Sequence, residues 1–484
     1  MINGEDPSDA ADVLVVGGGF AGLALAAELG ARGVREVTVL EAGPDAGRAH
    51  VRWELDPATA TAWWLAPETD RHFWRPYRGD GTSFTGIAGI RRRLGGRSLY
   101  WGGMMLPMDP WALDGRVWPE AVVADLTRGH DGEPPLFETV QARVAEWMKG
   151  PGAGSIADDH RLDLWGHDFR HAPRAVRHDD GSPRWKAYSP LETLPGNVRI
   201  VCDAPVVDLV VTDGAVVGVR VADGDRVRTI SAGSVVLAAS TIENSRLAIQ
   251  ALTGAGLLAE PVLPGLVDKV AQGFVATFDP DRLPAPLRQA AEQGMTYTAR
   301  CDELRSNIFV NAGVNPFGVA VLDVYLMGEQ TSGPWSRVRC EPDGAAPWPT
   351  RVECRLGGAD QELVRAQQAE LQRCWDELAA ATGAGPSALS FDAEFGSPDL
   401  AERIMRAPAM RAAAAPFTYA FPLGSEQHEA GTLPLGGVLD ENHEFRSLRG
   451  LYALGPCTFP RSGAANPVMT LLALAMRLGR HLST

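Results

Sequence analysis

The 484-residue chain is poor in cysteine, has no excess of positive charge and contains no long apolar run, and each shortage removes a class of function. Its six cysteines, Cys202, Cys301, Cys340, Cys354, Cys374 and Cys457, stand apart with no C-x-x-C pair. That spacing argues against a zinc site and leaves reduced, buried thiols as the default. Lysine and arginine total 45 against 60 aspartates and glutamates, a net charge of −15. An acidic surface repels phosphate backbones and anionic lipid, so neither nucleic acid nor a membrane surface is expected as a partner. No stretch suffices to span a bilayer. The acidic start MINGEDPSDAAD has neither an apolar core nor a twin-arginine signal, which gives the expectation of a cytoplasmic protein. The histidines of residues 120–195, His130, His160, His167, His171 and His178, form no H-E-x-x-H pattern, so solvated or structural roles are expected and no metal. There is no internal repeat or low-complexity linker, and the length points to two domains.

What the chain does have begins with residues 12–43, DVLVVGGGFAGLALAAELGARGVREVTVLEAG. The apolar run 13–16 reads as a strand buried on both faces. Gly17, Gly19 and Gly22 follow it as G-x-G-x-x-G. The first glycine permits the tight turn, the second lets backbone approach a pyrophosphate, and the third lets the next helix pack close to the strand. Leu23, Ala26 and Leu29 continue at helical spacing, which aims the loop's N–H groups and the positive end of the helix at the phosphates. A second strand over 37–40 ends in Glu41. A carboxylate there accepts a hydrogen bond from a ribose 2′-OH and repels a 2′-phosphate, favouring FAD or NAD over NADP.

Residues 48–118 hold seven of the thirteen tryptophans: Trp53, Trp63, Trp64, Trp74, Trp101, Trp111 and Trp118. Half-buried packing is the commoner fate of this residue; a platform stacking on the apolar faces of a sugar-like ligand is the other reading. In the same region, IRRRLGGRSLYWGGMMLPMDP sets Gly95-Gly96 and Gly102-Gly103 around a polar-aromatic run, a pattern that lets backbone lie flat against a large planar ligand. Residues 198–201, 206–211 and 216–221 read as a three-stranded meander, with turns at Asp213-Gly214 and Asp223-Gly224. A buried strand over 234–239 then rejoins the parallel sheet. Strands over 319–326 and 352–356, in an antiparallel sheet, mark a second domain. So does a helix over 360–381 with Leu363, Leu371, Trp375 and Leu378 on one face.

Chemistry concentrates near the C-terminus. His428 precedes a Gly431-Thr432 turn, and Asn466-Pro467 reads as N-cap and first residue of an apolar helix running to Leu478. His443, in the polar segment DENHEF, is expected to be solvated.

The H-x-x-G-T of residues 428–432, the L-Y, F-P and N-P steps into the last helix, the N-terminal G-x-G-x-x-G and the Gly-Gly-x-Ser core at 95–98 together resemble the glucose–methanol–choline (GMC) family of flavin oxidoreductases. Among its members, those similar to pyranose oxidase are nearest in character. The resemblance implies an α/β fold: a Rossmann-type FAD-binding domain with an inserted β-meander over 10–119, 196–262 and 421–484. A discontinuous α+β substrate domain, built on an antiparallel sheet, would take 120–195 and 263–420. It implies non-covalent FAD, because Tyr100 stands where relatives similar to pyranose oxidase carry a flavin-bonded histidine. It implies cofactor contacts at Gly17, Gly19, Gly22, Glu41, Gly95, Gly96, Arg97, Ser98, Trp101, Gly102, Val207, Ala239, Gly455 and Pro467, with adenine near Val207. Gly455 stands where the family commonly has an acidic residue, so contact there would come from backbone. ENSR at 243–246 and LMGEQTSGPWSRV at 326–338 also resemble family patterns. The implied activity is oxidation of an alcohol to a carbonyl by hydride transfer to flavin N5, with His428 as base and Asn466 as orienting amide, each carried over from the family's matching position. The chemistry agrees: the hydroxyl proton must leave as the hydride moves, histidine titrates in the range to take it, and an amide can hold the developing alkoxide in line. The implied substrate is polyhydroxylated, a sugar, glycoside or nucleoside-like alcohol, with oxygen or another acceptor reoxidising the flavin. A lyase similar to the family's oxynitrilases and a non-catalytic flavoprotein are the alternatives.

Overall fold

Two seven-stranded sheets, one mostly parallel and one antiparallel, organise the computed structural model. It describes residues 10–129, 132–149, 161–179, 182, 184–293, 295–300 and 304–484. His130, His160, Cys301 and residues 1–9 lie outside the described residues.

The first sheet runs in the order Val198–Val201, Val37–Leu40, Ala10–Val16, Arg226–Leu237, Ala215–Asp223 and Val206–Thr212, with Leu451–Ala453 also pairing on Arg226–Leu237. Its core is parallel, with Val13 opposite both Val37 and Ser234 and with Val235 opposite Leu451. Strands covered on both faces carry continuous apolar runs, and Val13, Leu14, Val15 and Val16 are all buried. The helix Phe20–Ala31 leaves the glycine loop and packs on the C-terminal helix Val468–His481. Gly479 makes that approach possible, since a Cβ there would stand 2.5 Å from Glu28 Cγ.

The meander differs from its expected form. Residues 198–201 are not part of it: they pair parallel with Val37–Leu40, and Glu41 N donates to Val201 O. Burial against the first helix explains the move, because Val198 and Ile200 are buried and Asn197 Nδ2 donates to Gly30 O at 3.1 Å. The third meander strand is instead Arg226–Leu237, continuous with the expected strand at 234–239. Its first half pairs antiparallel with Ala215–Asp223 and its second half parallel with Ala10–Val16. Gly233 lies within this strand, where a Cβ would come 3.1 Å from Asp12 O of the neighbouring strand.

The second sheet runs Ala414–Ala420, Lys269–Phe278, Ala320–Glu329, Ser306–Val314, Met295–Arg300, His167–His171 and Arg161–Leu164. Side chains alternate across it as a pleated strand requires. Ala320, Leu322, Val324 and Leu326 join Phe274, Ile308 and Trp375 in one core under the helix Gly358–Thr382. Val321, Tyr325 and Met327 face the other way, with Phe309, Tyr419, Phe421 and Ala465. The strand expected at 352–356 is Thr350–Glu353, which belongs to a separate four-stranded sheet with Val262–Pro264, Arg337–Cys340 and Arg78–Gly79. Residues 120–195 are divided between the two sides. The helices Glu120–Thr127 and Leu136–Met148 bury Val122, Leu126, Val140 and Val144 in the core of the parallel sheet, whereas 161–171 extends the antiparallel one. Among the described residues no helix is long and apolar enough to cross a membrane.

Candidate functional site

The glycine loop is built by close packing on one side and open space on the other. Gly17 has φ +110°, and a Cβ on it would meet Ala238 O at 2.6 Å; one on Gly22 would meet Gly17 O at 2.0 Å. At Gly19 an added Cβ would meet nothing within 4 Å. The loop therefore presents a bare, accessible backbone where the helix begins, the arrangement that receives a pyrophosphate. The second glycine pair is fastened to it: Gly95 N donates to Gly18 O at 2.8 Å, and a Cβ on Gly96 would lie 3.3 Å from Gly19 Cα. Both glycines are left-handed, at φ +89° and +48°, a conformation that glycine adopts at no steric cost. Ser98 locks the turn, its Oγ donating to Gly95 O and bonding Ser189 Oγ, both at 2.7 Å. Gly102 also faces open space, and its carbonyl accepts from Arg174.

Glu41 closes the strand Val37–Leu40. Its carboxylate accepts from Gly18 N at 2.9 Å and Gly43 N at 2.8 Å. Burial nevertheless pushes its pKa up to about 7, outweighing those two bonds. A cavity of about 660 Å³ opens at this end, lined by Ala42, Pro44, Trp74, Arg92 and Asp203, and it shares no lining residue with His428 or Asn466. Val207 sits at an irregularity in strand pairing, and its carbonyl accepts from Arg246 and Gln250. Ala239 N donates to Asn244 Oδ1 at 2.7 Å.

Arg97 has its guanidinium turned into the protein, donating to Gln427 O, Glu429 Oε2 and Ser240 Oγ at 2.6, 2.9 and 2.8 Å. It thereby joins the Gly-Gly segment to the loop that carries His428. Trp101 is likewise held, its Nε1 donating to Tyr188 O and its ring edge-on to Phe20. Tyr100 stacks on Trp63 under the guanidinium of Arg91. Three more tryptophans of this region find protein partners, Trp74 under Arg92, Trp111 under Arg461 and buried Trp118 against Phe459, whereas Trp64 is 36% exposed. Packing, rather than a free platform, is what the partnered ones do here.

The ring of His428 makes no hydrogen bond within the described residues, and its Nδ1 is shielded from solvent. Burial, with the charges of Lys269 and Arg97, holds its pKa well below the ordinary 6.5. The imidazole is neutral at pH 7 and so able to accept a proton. Asn466 departs from the expected N-cap role. The helix begins at Val468, Pro467 occupies the cap position at φ −75° and ψ −15°, and Leu471 N donates to Pro467 O. Proline already in helical backbone starts the ladder itself, which releases the Asn466 amide; its Oδ1 is buried without a partner. Gly455 has φ +130° and begins the turn Pro456–Thr458, its carbonyl accepting from Thr458 N and Oγ1.

His443 corrects the expectation of a solvated residue. It is fully buried, its Nδ1 paired with Ala453 O at 3.0 Å, and burial lowers its pKa to about 3. His167 and His171 are four apart, a spacing that joins two metal ligands on a helix. They lie on a strand, where four residues span on the order of 13 Å. Among the described residues no group of three or more His, Cys, Asp or Glu side chains is placed to hold a metal ion.

Asn244 was not singled out as a site residue, although it lies in the ENSR segment. Its amide clasps three elements, accepting from Ala239 N and donating to Leu237 O, Leu454 O and Cys457 Sγ. The pattern marked the residue, but two of its partners, Leu454 and Cys457, lie some two hundred positions away and are visible only in the fold.

A bare glycine cradle, a carboxylate at the next strand's end and two polar groups shielded without partners fit a dinucleotide with a reactive ring. A family model described as FAD dependent oxidoreductase matches residues 12–53, and one described as GMC oxidoreductase matches residues 336–475. No curated protein matches the chain. Among solved structures, pyridoxine 4-oxidase from Mesorbium loti is similar with a TM-score of 0.61 at 18% identity, over 97% of this chain and 99% of that one. With a segment near each end of one fold matched, the chain is similar to FAD-dependent oxidoreductases of the GMC type, and the findings support that reading.

Proposed function

We propose that the protein oxidises an alcohol to a carbonyl, with His428 taking the hydroxyl proton and Asn466 holding the oxygen, on a polyhydroxylated substrate such as a sugar, glycoside or nucleoside-like alcohol. FAD, when bound, supplies the hydride acceptor, and oxygen or another acceptor returns it to the oxidised state. Gly17, Gly19, Gly22 and Glu41 would hold the ADP half, and the segment Gly95 to Ser98 would lie along the rest of the cofactor. The observation that carries the proposal is the pair of shielded, unpartnered groups at His428 and Asn466. Buried polar atoms ordinarily find a partner, and exceptions mark functional sites. A neutral imidazole accepts the proton, and the Asn466 amide, rotated about its Cβ–Cγ bond, can donate to the oxygen as charge develops there.

A second substrate class has its own support. Phe309 stacks on Tyr325 at 4.8 Å and on Tyr297 at 6.1 Å, and the face bearing them packs with Ala465, next to Asn466. Such a wall suits an alcohol carried on an aromatic ring, pyridoxine being the substrate named for the protein of like fold. The deciding experiment records the anaerobic visible spectrum of the FAD-loaded protein with sugars, glycosides, nucleosides, simple alcohols and aromatic alcohols. Bleaching by one class identifies the substrate type, and readmitting air separates oxidase from dehydrogenase. A yellow protein that none of them bleaches would favour a lyase or a binding role.

A further inference from the structure

The loops that carry His428 and Asn466 are gripped by two adjacent residues of one chain segment. Asp268, fully buried, accepts from His428 N at 3.1 Å and from Gly424 N, so both ends of the turn before the histidine hang on a single carboxylate. Its own N–H donates to Gln330 Oε1 at 2.8 Å, which fixes the residue to the neighbouring strand's end. Lys269, 1% exposed, points its ammonium to the other loop, donating to Ser462 O at 2.8 Å and to Gly463 O. Those carbonyls lie three and four residues before Asn466. Glu329, directly opposite Lys269 in the sheet, accepts from Gly463 N at 3.0 Å and pairs with Arg461, while Asp109 accepts from Ala464 N.

We propose that Asp268 and Lys269 are positioning residues for the redox site: two neighbouring side chains of opposite charge, one at the start of the strand Lys269–Phe278 and one just before it, set the separation and aim of His428 and Asn466. The proposal rests on the roles given above to His428 and Asn466. Opposite charges suit the task because the two loops offer opposite groups, N–H donors at 424–428 and carbonyl acceptors at 462–463. Charge-assisted bonds of this kind are the stronger class. Lys269 begins, and Asp268 immediately precedes, a ten-residue strand paired along its length with Ala320–Glu329 and over Gln272 to Thr277 with Ala414–Ala420, so the two loops are referred to one rigid element rather than to each other. Burial lowers Lys269 only to about 8, which leaves it mostly a cation at pH 7, and raises Asp268 to about 7, so the carboxylate carries its full charge only above that pH and holds its two N–H donors best there.

The test uses the FAD-loaded enzyme with whichever alcohol of the panel reduces the flavin. Lys269→Met should retain the flavin and a KM within about twofold of the wild type, while anaerobic reduction slows by roughly 10²-fold, the usual cost of ångström-scale misplacement. Asp268→Asn, nearly isosteric, should show the same split with a loss of about 10-fold. In a His428→Ala background, Asp268→Asn should cost no more than about twofold further, because no base remains for it to aim. Hydrogen exchange, which needs no substrate, should quicken over 461–467 in Lys269→Met and over 424–432 in Asp268→Asn, with the rest of the sheet unchanged. Loss of flavin in both single variants, an unchanged reduction rate in both, or exchange that quickens throughout the sheet would each overturn the proposal. Fully additive losses in the double variant, with His428→Ala itself slow, overturn it alone. A His428→Ala enzyme reduced at the wild-type rate overturns the base assignment and the positioning with it.

Discussion

The two large sheets come to the same site by unlike means. On the parallel side, position is set by the absence of side chains: Gly17, Gly22 and Gly96 let backbone approach backbone, and Gly19 leaves a bare cradle. On the antiparallel side, position is set by long charged side chains, with Asp268, Lys269 and Glu329 reaching from strand ends to hold loops far away in sequence. Glycine geometry acts through bare backbone, and at Gly17 and Gly22 it tolerates no added atom. Charged clasps are non-local, and their worth depends on burial that only the assembled sheet provides.

The largest expected effect falls between the two sides. His428→Ala should keep the flavin bound and slow anaerobic reduction by roughly 10²- to 10⁴-fold, the contribution of a positioned base. Near-normal reduction would remove the histidine from the chemistry. Trp375→Ala tests the antiparallel side as a supporting body. The indole is buried, 5.9 Å from Phe274 and 6.3 Å from Phe278, and truncation should cost about 3–5 kcal/mol. That loss should be seen as faster hydrogen exchange in the sheet while the native flavin spectrum stays unaltered. Gly22→Ala tests the parallel side in the opposite sense. Its Cβ would stand 2.0 Å from Gly17 O, so the loop must open at about 1–3 kcal/mol. Flavin retention on dilution should fall, with exchange in the antiparallel sheet unchanged; the reverse pattern in either variant would break the division of labour.

The smallest effect at neutral pH concerns the buried His443. His443 is held neutral, its pKa lowered from 6.5 to about 3. As pH falls below 6.5 the unfolded chain takes up a proton that the folded chain refuses, so stability declines until about pH 3 and no further. His443→Gln should therefore make the acid slope of apoprotein stability shallower by about 1.4 kcal/mol per pH unit in that window. Equal slopes for the two proteins would mean that His443 is protonated in the fold.

Much of the parallel half was legible because its signals are local. The strand at 13–16, the glycine turn, the helix after it and Glu41 follow one another within thirty residues and occur as read. Where local signals competed, reading failed. The β-rich run at 198–201 has the composition of a meander strand, yet burial of Val198 and Ile200 against the first helix draws it to the parallel edge. Gly233 resembles a break but lies within a twelve-residue strand, because a neighbour needs the space. DENHEF is polar in sequence, and His443 is buried nonetheless through a bond to Ala453 O. Asn466 was found for its chemistry and misplaced in its geometry, since the proline after it already begins the helix.

By itself the sequence determined the dinucleotide fingerprint, the order of the segments that resemble the flavin family and the identity of the histidine and amide proposed for catalysis. Those features depend on residues close in the chain, where spacing fixes geometry. Only the tertiary structure decided what holds them: Arg97 bridging to Glu429, Asn244 clasping Leu454, and Asp268 and Lys269 taking hold of two loops about 160 to 195 residues away. A charge acquires that role when burial removes water as the competing partner, and which charges become buried together is a property of the packed sheets and not of any single stretch of sequence.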